Sequence, residues 1–173
     1  MLCVSNGPGA CSKPDRLNRR YAHMAAIFGE RGVKGIPMEG IKVIARFRDG
    51  RLLKGLSQSF NPTCPSFFLI PVPSAGKPQP VKVALADLKA VFIVHDFVGK
   101  PEYHEQKQFP LNHGDNTGLR LKVTFSDGEV LVGRSLNYDP NAAGFFLLPA
   151  DPASNNQRVY VVAGAVKSVD KAA

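Results

Sequence analysis

Between Leu119 and Phe125 the chain alternates strictly. Leu119, Leu121, Val123 and Phe125 hold one parity, and Arg120, Lys122 and Thr124 hold the other. Side chains of an extended segment point to opposite faces in turn, so the pattern predicts a strand with one buried face. Asp127-Gly128 follows, a pair that tolerates positive φ, and predicts a two-residue turn closing a hairpin. On the return, Leu131, Gly133 and Ser135 share a parity, and a glycine inside a strand marks a sharp bend. Asp139-Pro140 signals another turn, before the apolar run FFLLP at 145–149 and a short strand around Val159 and Val161.

The same pattern occurs 78 residues earlier. Laid over 119–170 without a gap, residues 41–92 are identical at 17 of 52 positions. Asp49-Gly50 falls on Asp127-Gly128, Gly55 on Gly133, Pro62 on Pro140, Phe67-Phe68-Leu69 on Phe145-Phe146-Leu147, and Lys89 on Lys167. A match of this length at one offset identifies a duplicated unit. Four or five short strands within 52 residues suggest a small SH3-like barrel. The expected fold is therefore all-β, with two tandem small SH3-like/Sm-like barrels packed together. The expected divisions are an N-terminal extension (1–40), a first barrel (41–97), a connector (98–117) and a second barrel (118–173). A helix over 14–28, ended by Gly29, would put Leu17, Tyr21, Met24, Ala25 and Phe28 on one face. Met1 to Lys13 read as disordered, and three readings of the helical stretch stand: a cap packed on the barrels, a basic arm for nucleic acid or membrane, or an extension ahead of a natural start at Met24 or Met38.

The FFL runs are apolar on both parities, so one face fills the unit's own core and the other must also be covered. A unit this short is marginal alone. Two readings follow: the second faces pack against each other between copies, or Phe68, Ile70, Phe146 and Leu148 form an interface for a protein partner.

Charge sharpens the contrast between copies. The net charge is +8, and residues 41–97 hold eight Lys/Arg against three acids. Lys42, Arg46 and Arg48 share the outward parity of one strand, with Arg51 and Lys54 just past the turn; their counterparts are Arg120, Thr124, Ser126, Glu129 and Val132. Such a face is either solvated or a site for an anion, a nucleic acid or an acidic protein. No aromatic residue interleaves with these cations, so base stacking lacks a platform.

The alternating strand, Asp127-Gly128, Gly133 and Tyr138-Asp139 together resemble the first signature of Sm-like barrels, and Val161-Val162-Ala163-Gly164-Ala165-Val166 resembles the second. The resemblance implies a barrel scaffold. Sm-like RNA pockets use an Asn after the Asp and the Arg of an Arg-Gly pair; here Ala143-Gly144 lies near the first position and Ala163 occupies the second, so RNA recognition by that route is not implied. The 41–170 block also resembles an uncharacterised bacterial domain family that occurs in tandem copies. Arg16-Leu17-Asn18-Arg19-Arg20 and Asp139-Pro140-Asn141-Ala142-Ala143-Gly144 are similar to the two elements with which PilZ domains bind cyclic di-GMP. Here they lie more than a hundred residues apart and Asn141 replaces Ser.

His95, Asp96, His104, Glu105, His113 and Asp115 in and beside the connector are metal-ligand types at spacings that fit no compact motif. Cys3, Cys11 and Cys64 form no disulfide framework or zinc motif and read as reduced thiols. No nucleophile elbow, P-loop or dinucleotide fingerprint is present. The expectation is a cytoplasmic binding module rather than an enzyme, with no cofactor and no metal. It would act as a protein-interaction or regulatory adaptor; alternatively it would bind nucleic acid or a nucleotide through Lys42, Arg46, Arg48, Arg51 and Lys54. Self-association is a further possibility.

Overall fold

The computed structural model describes residues 40–72, 79–99, 102–103, 105–109 and 117–172. The expected helix over 14–28 and the residues Cys3, Cys11, His104, His113 and Asp115 lie outside them. Ten strands account for most of the described chain: β1 (Ile41–Phe47), β2 (Leu52–Ser57), β3 (Ser66–Pro71), β4 (Val81–Ala84), β5 (Leu88–Val94), β6 (Leu119–Phe125), β7 (Val130–Ser135), β8 (Gly144–Pro149), β9 (Asn156–Val162) and β10 (Val166–Lys171). A single 3₁₀ turn links β4 to β5 and another links β9 to β10. Among the described residues no helix is long and apolar enough to cross a membrane.

The class is all-β, as the alternation predicts. All ten strands join one open antiparallel sheet in the order β10-β6-β7-β8-β9-β5-β1-β2-β3-β4. The join is made by β5, which pairs with β1 on one side and β9 on the other. Its sequence, LKAVFIV, is apolar at all but one position, as a strand buried along its whole length requires.

The two hairpins close differently from the expected two-residue turn. Phe125 N–H donates to Glu129 O at 2.9 Å and Gly128 N–H to Phe125 O at 3.0 Å, leaving a three-residue loop, Ser126-Asp127-Gly128. The first hairpin repeats it with Phe47, Arg51 and Gly50. Gly50 and Gly128 carry φ of 88° and 87°, the left-handed position that ends this loop type. Asp49 and Asp127 precede them and accept the backbone N–H two residues on, each at 3.0 Å.

Gly55 and Gly133 serve the bend. Residues 52–57 pair with β1 throughout, but β2 pairs with β3 only at Gly55 and Leu56. A Cβ on Gly133 would lie 2.2 Å from the carbonyl oxygen of Leu148, so only glycine permits the crossing.

Two hydrophobic cores result, and each takes side chains from the other half. Ala90, Phe92 and Val94 of β5 pack with Leu121, Val123, Phe125, Phe145 and Leu147. Tyr160 and Val162 of β9 pack with Val43, Ala45, Phe67, Leu69 and Val91. Alternation explains the exchange: neighbouring residues of β5 and β9 face opposite sides of the shared ladder.

Candidate functional site

The basic residues singled out in the sequence lie on β1, the first hairpin loop and β2, and each has a partner within the chain. Lys42 Nζ donates to His95 O at 2.7 Å, and Lys54 Nζ to Phe97 O at 2.8 Å. Arg46 Nη1 reaches both carboxylate oxygens of Glu129, at 2.7 and 2.9 Å, with its guanidinium 4.6 Å from the Phe92 ring centre. Arg48 donates to the carbonyl of Gly164. Arg51 pairs with Asp49 at 2.7 Å and stacks on Phe47. Arg46 and Arg48 thus bind the first half to the second.

Lys89, which charge patterning alone did not single out, completes this seam. Its side chain is 7% exposed and its ammonium meets both Asp127 and Glu129 while lying over the Phe125 ring. Burial acts to raise the pKa of Glu129, but hydrogen bonding to Lys89 and the charges of Arg46 and Lys89 outweigh it and hold the carboxyl below its ordinary value. The Lys89 hydrogen bond likewise lowers Asp127. The offset alignment offers a partial signal: Arg46 and Lys89 lie in one copy, and the acid Glu129 replaces Arg51 in the other.

The four residues expected at a protein interface divide by position. Phe146 is half-buried against the first half's core: its ring centre lies 5.2 Å from Tyr160 and 6.5 Å from Phe60, with the Arg158 guanidinium 5.0 Å away. Phe68, its counterpart, is half-buried on β3, directly opposite Lys82 of the edge strand β4. Ile70 is half-buried and Leu148 exposed.

β4 is one of the two edges of the described sheet. Among the described residues β4 has β3 on one side and no strand on the other. Val81 is 43% exposed, whereas Val159, at the corresponding position of β9, is 2% exposed beneath β5. Lys82 is exposed, and among the described residues its ammonium has no hydrogen bond or ion pair. The opposite edge, β10, shows Lys167, Ser168, Asp170 and Lys171 to solvent.

The described part of the connector is pinned to the second half. Asp151, 4% exposed, accepts the Tyr103 hydroxyl at 2.6 Å and the Gln106 N–H at 2.8 Å. The Asp151 hydrogen bond raises the pKa of Tyr103. Ser154 donates to Glu105 at 2.5 Å. His95 lies 3.2 Å from the Gln157 amide, and Asp96 accepts from Val98 N–H. Among the described residues no three His, Cys, Asp or Glu side chains are grouped to hold a metal. Cys64 is half-buried, and among the described residues it forms no disulfide.

An open, ten-stranded antiparallel sheet with a charged seam and an apolar-bordered edge defines the class. Over residues 72–173, more than half its length, the chain matches a family of unknown function, DUF6982, and it belongs to that family. No curated protein and no solved structure matches it.

Proposed function

We propose that this chain is a non-catalytic binding module, of the protein-interaction or regulatory kind, built from two duplicated small barrels of SH3-like form. A partner protein would dock an extended segment as an added antiparallel strand on the open edge at β4. One observation carries the reading. β9, the counterpart of β4 at the 78-residue offset, receives β5 antiparallel from Ala90 opposite Val161 to Val94 opposite Asn156. The unit's fourth strand is therefore built to accept a neighbour on its outer side, and β4 offers the same side. Main-chain hydrogen bonds supply affinity in such a complex, and alternate side-chain seats supply selectivity. Phe68 of the adjacent strand lies opposite Lys82 of that edge, whereas Ile70 lies opposite Leu56 of β2. Pro80 and Lys82 blunt the edge against indiscriminate pairing.

The alternative, nucleic acid or nucleotide binding through the basic strand, has less support. Arg46 and Arg48 are engaged across the seam, and Lys42, Arg51 and Lys54 within their own neighbourhood. Selection of short random peptides against the full chain, followed by amide hydrogen exchange on the complexes, tests the proposal. Selected peptides should slow exchange at Val81–Ala84. Peptides that protect only other strands, or tight salt-sensitive RNA binding lost in an Arg46→Gln, Arg48→Gln variant, would overturn it.

A further inference from the structure

Resting on the edge-docking reading, we infer that the docked strand carries an acidic residue at one defined place, flanked by apolar residues. The filled edge sets the register. In the β5–β9 ladder Ala90 lies opposite Val161, Val91 opposite Tyr160 and Phe92 opposite Val159. Seventy-eight residues earlier, those β9 positions are Val83, Lys82 and Val81. The neighbouring strand repeats the correspondence, because Phe146 pairs with Tyr160 and Phe68 with Lys82.

Two of the three seats keep their chemistry between the halves. Val83 is buried as Val161 is, so the residue opposite it is apolar and small, as Ala90 is. Val81 matches Val159 in type but stands 43% exposed, so a large apolar residue opposite it would cover what Phe92 covers on Val159.

The middle seat changes. Tyr160 receives the apolar Val91, and both are buried. Lys82 places an exposed ammonium there, with no ion-pair partner among the described residues. Opposite charges directly across an antiparallel pair stabilise it, and like charges destabilise it. An aspartate or glutamate is therefore the complement. The recognition core, read from N to C terminus, is a small apolar residue, an acid and a large apolar residue.

The probe is the chain's own 88–94 segment, LKAVFIV, synthesised with soluble tails, together with versions carrying Val91→Glu and Val91→Lys. Titrated into the full protein, the Glu peptide should bind about threefold more tightly than the parent and about tenfold more tightly than the Lys peptide. It should protect the amides of β4. Lys82→Glu lies on an exposed position and should reverse the order without unfolding the sheet. If all three peptides protect β4 equally, in wild type and Lys82→Glu alike, the acidic preference is wrong while edge docking stands. If none binds, or if β4 amides are already protected in the protein alone, both inferences fall.

Discussion

Lys89 of β5 meets Glu129 across the seam, joining the last strand of the first half to the first hairpin of the second. The ammonium also holds Asp127, and Glu129 in turn holds Arg46. Four ionised groups, two of each sign, thus close over the Phe92 and Phe125 rings. A buried ion pair gains little over a packed apolar pair, but removing one partner leaves the others uncompensated.

Lys89→Met keeps most of the stem and removes the charge. It should lower stability by about 2 kcal/mol, as expected for hydrogen bonds to charged groups whose acidic partners are partly exposed. Asp127→Asn should cost less, since that carboxylate is 57% exposed. Denaturant titration of Lys89→Met, Glu129→Gln and the double variant should show coupling between the two sites. Strictly additive losses would place the stabilisation elsewhere.

The same carboxylates set the acid limit. Asp127 and Glu129 titrate below their unfolded values, as do Asp49, held by the Arg51 N–H, and Asp96, held by the Val98 N–H. A depressed folded pKa contributes stability that is fully present above the unfolded pKa and is lost as pH falls through the folded one. Thermal melting should therefore be insensitive to these groups near neutral pH and should drop once the pH falls below about 4. In an Asp127→Asn, Glu129→Gln variant the drop should be shallower and the plateau lower. An acid limb identical to wild type would show that other groups govern it.

Strand content was legible because alternation and the DG turns are local signals. Leu119–Phe125 is strand over its full predicted length, and among the described residues most of the identities at offset 78 fall on corresponding strands, the rest on turns and loops. The join between the halves was not legible. Nothing local in LKAVFIV says that both of its edges are paired or which strand pairs with it. The basic residues read as one outward face because strand parity records side, not what lies across that side. Only the fold brings Glu129 to Arg46 and Gly164 to Arg48. Phe68 and Phe146 share a sequence context yet meet different neighbours, because one pairs with the edge strand at Lys82 and the other with the seam at Tyr160.

A second contrast between equivalent residues separates burial from bonding. Ser57 Oγ donates to Phe68 O at 2.8 Å, whereas Ser135, its counterpart, is buried and its hydroxyl has no partner among the described residues. Ser57→Ala should lower stability by about 1 kcal/mol, while Ser135→Ala should leave it unchanged or raise it, since an unmet hydroxyl is removed. Parallel urea titrations of the two variants decide this, and equal losses would contradict the difference in bonding.

The two outer edges make the last prediction. β10 is the counterpart of β5, yet β5 is buried along its length and four of the six residues of β10 are exposed. Phe92 corresponds to Asp170 and Ile93 to Lys171, so charge replaces the apolar residues that the seam uses. Charged side chains on an edge strand discourage further pairing. Asp170→Phe with Lys171→Ile restores the β5 residues and should give an edge able to pair with β4 of another copy, head to tail. Sedimentation velocity should then show association that grows with concentration and exceeds that of the wild type. Adding Val81→Asp, which places a charge on the receiving edge, should suppress it. Association that persists with Val81→Asp would mean that the new apolar residues act without regard to the ladder. No increase at all would mean that β10 and β5 are not interchangeable at this edge.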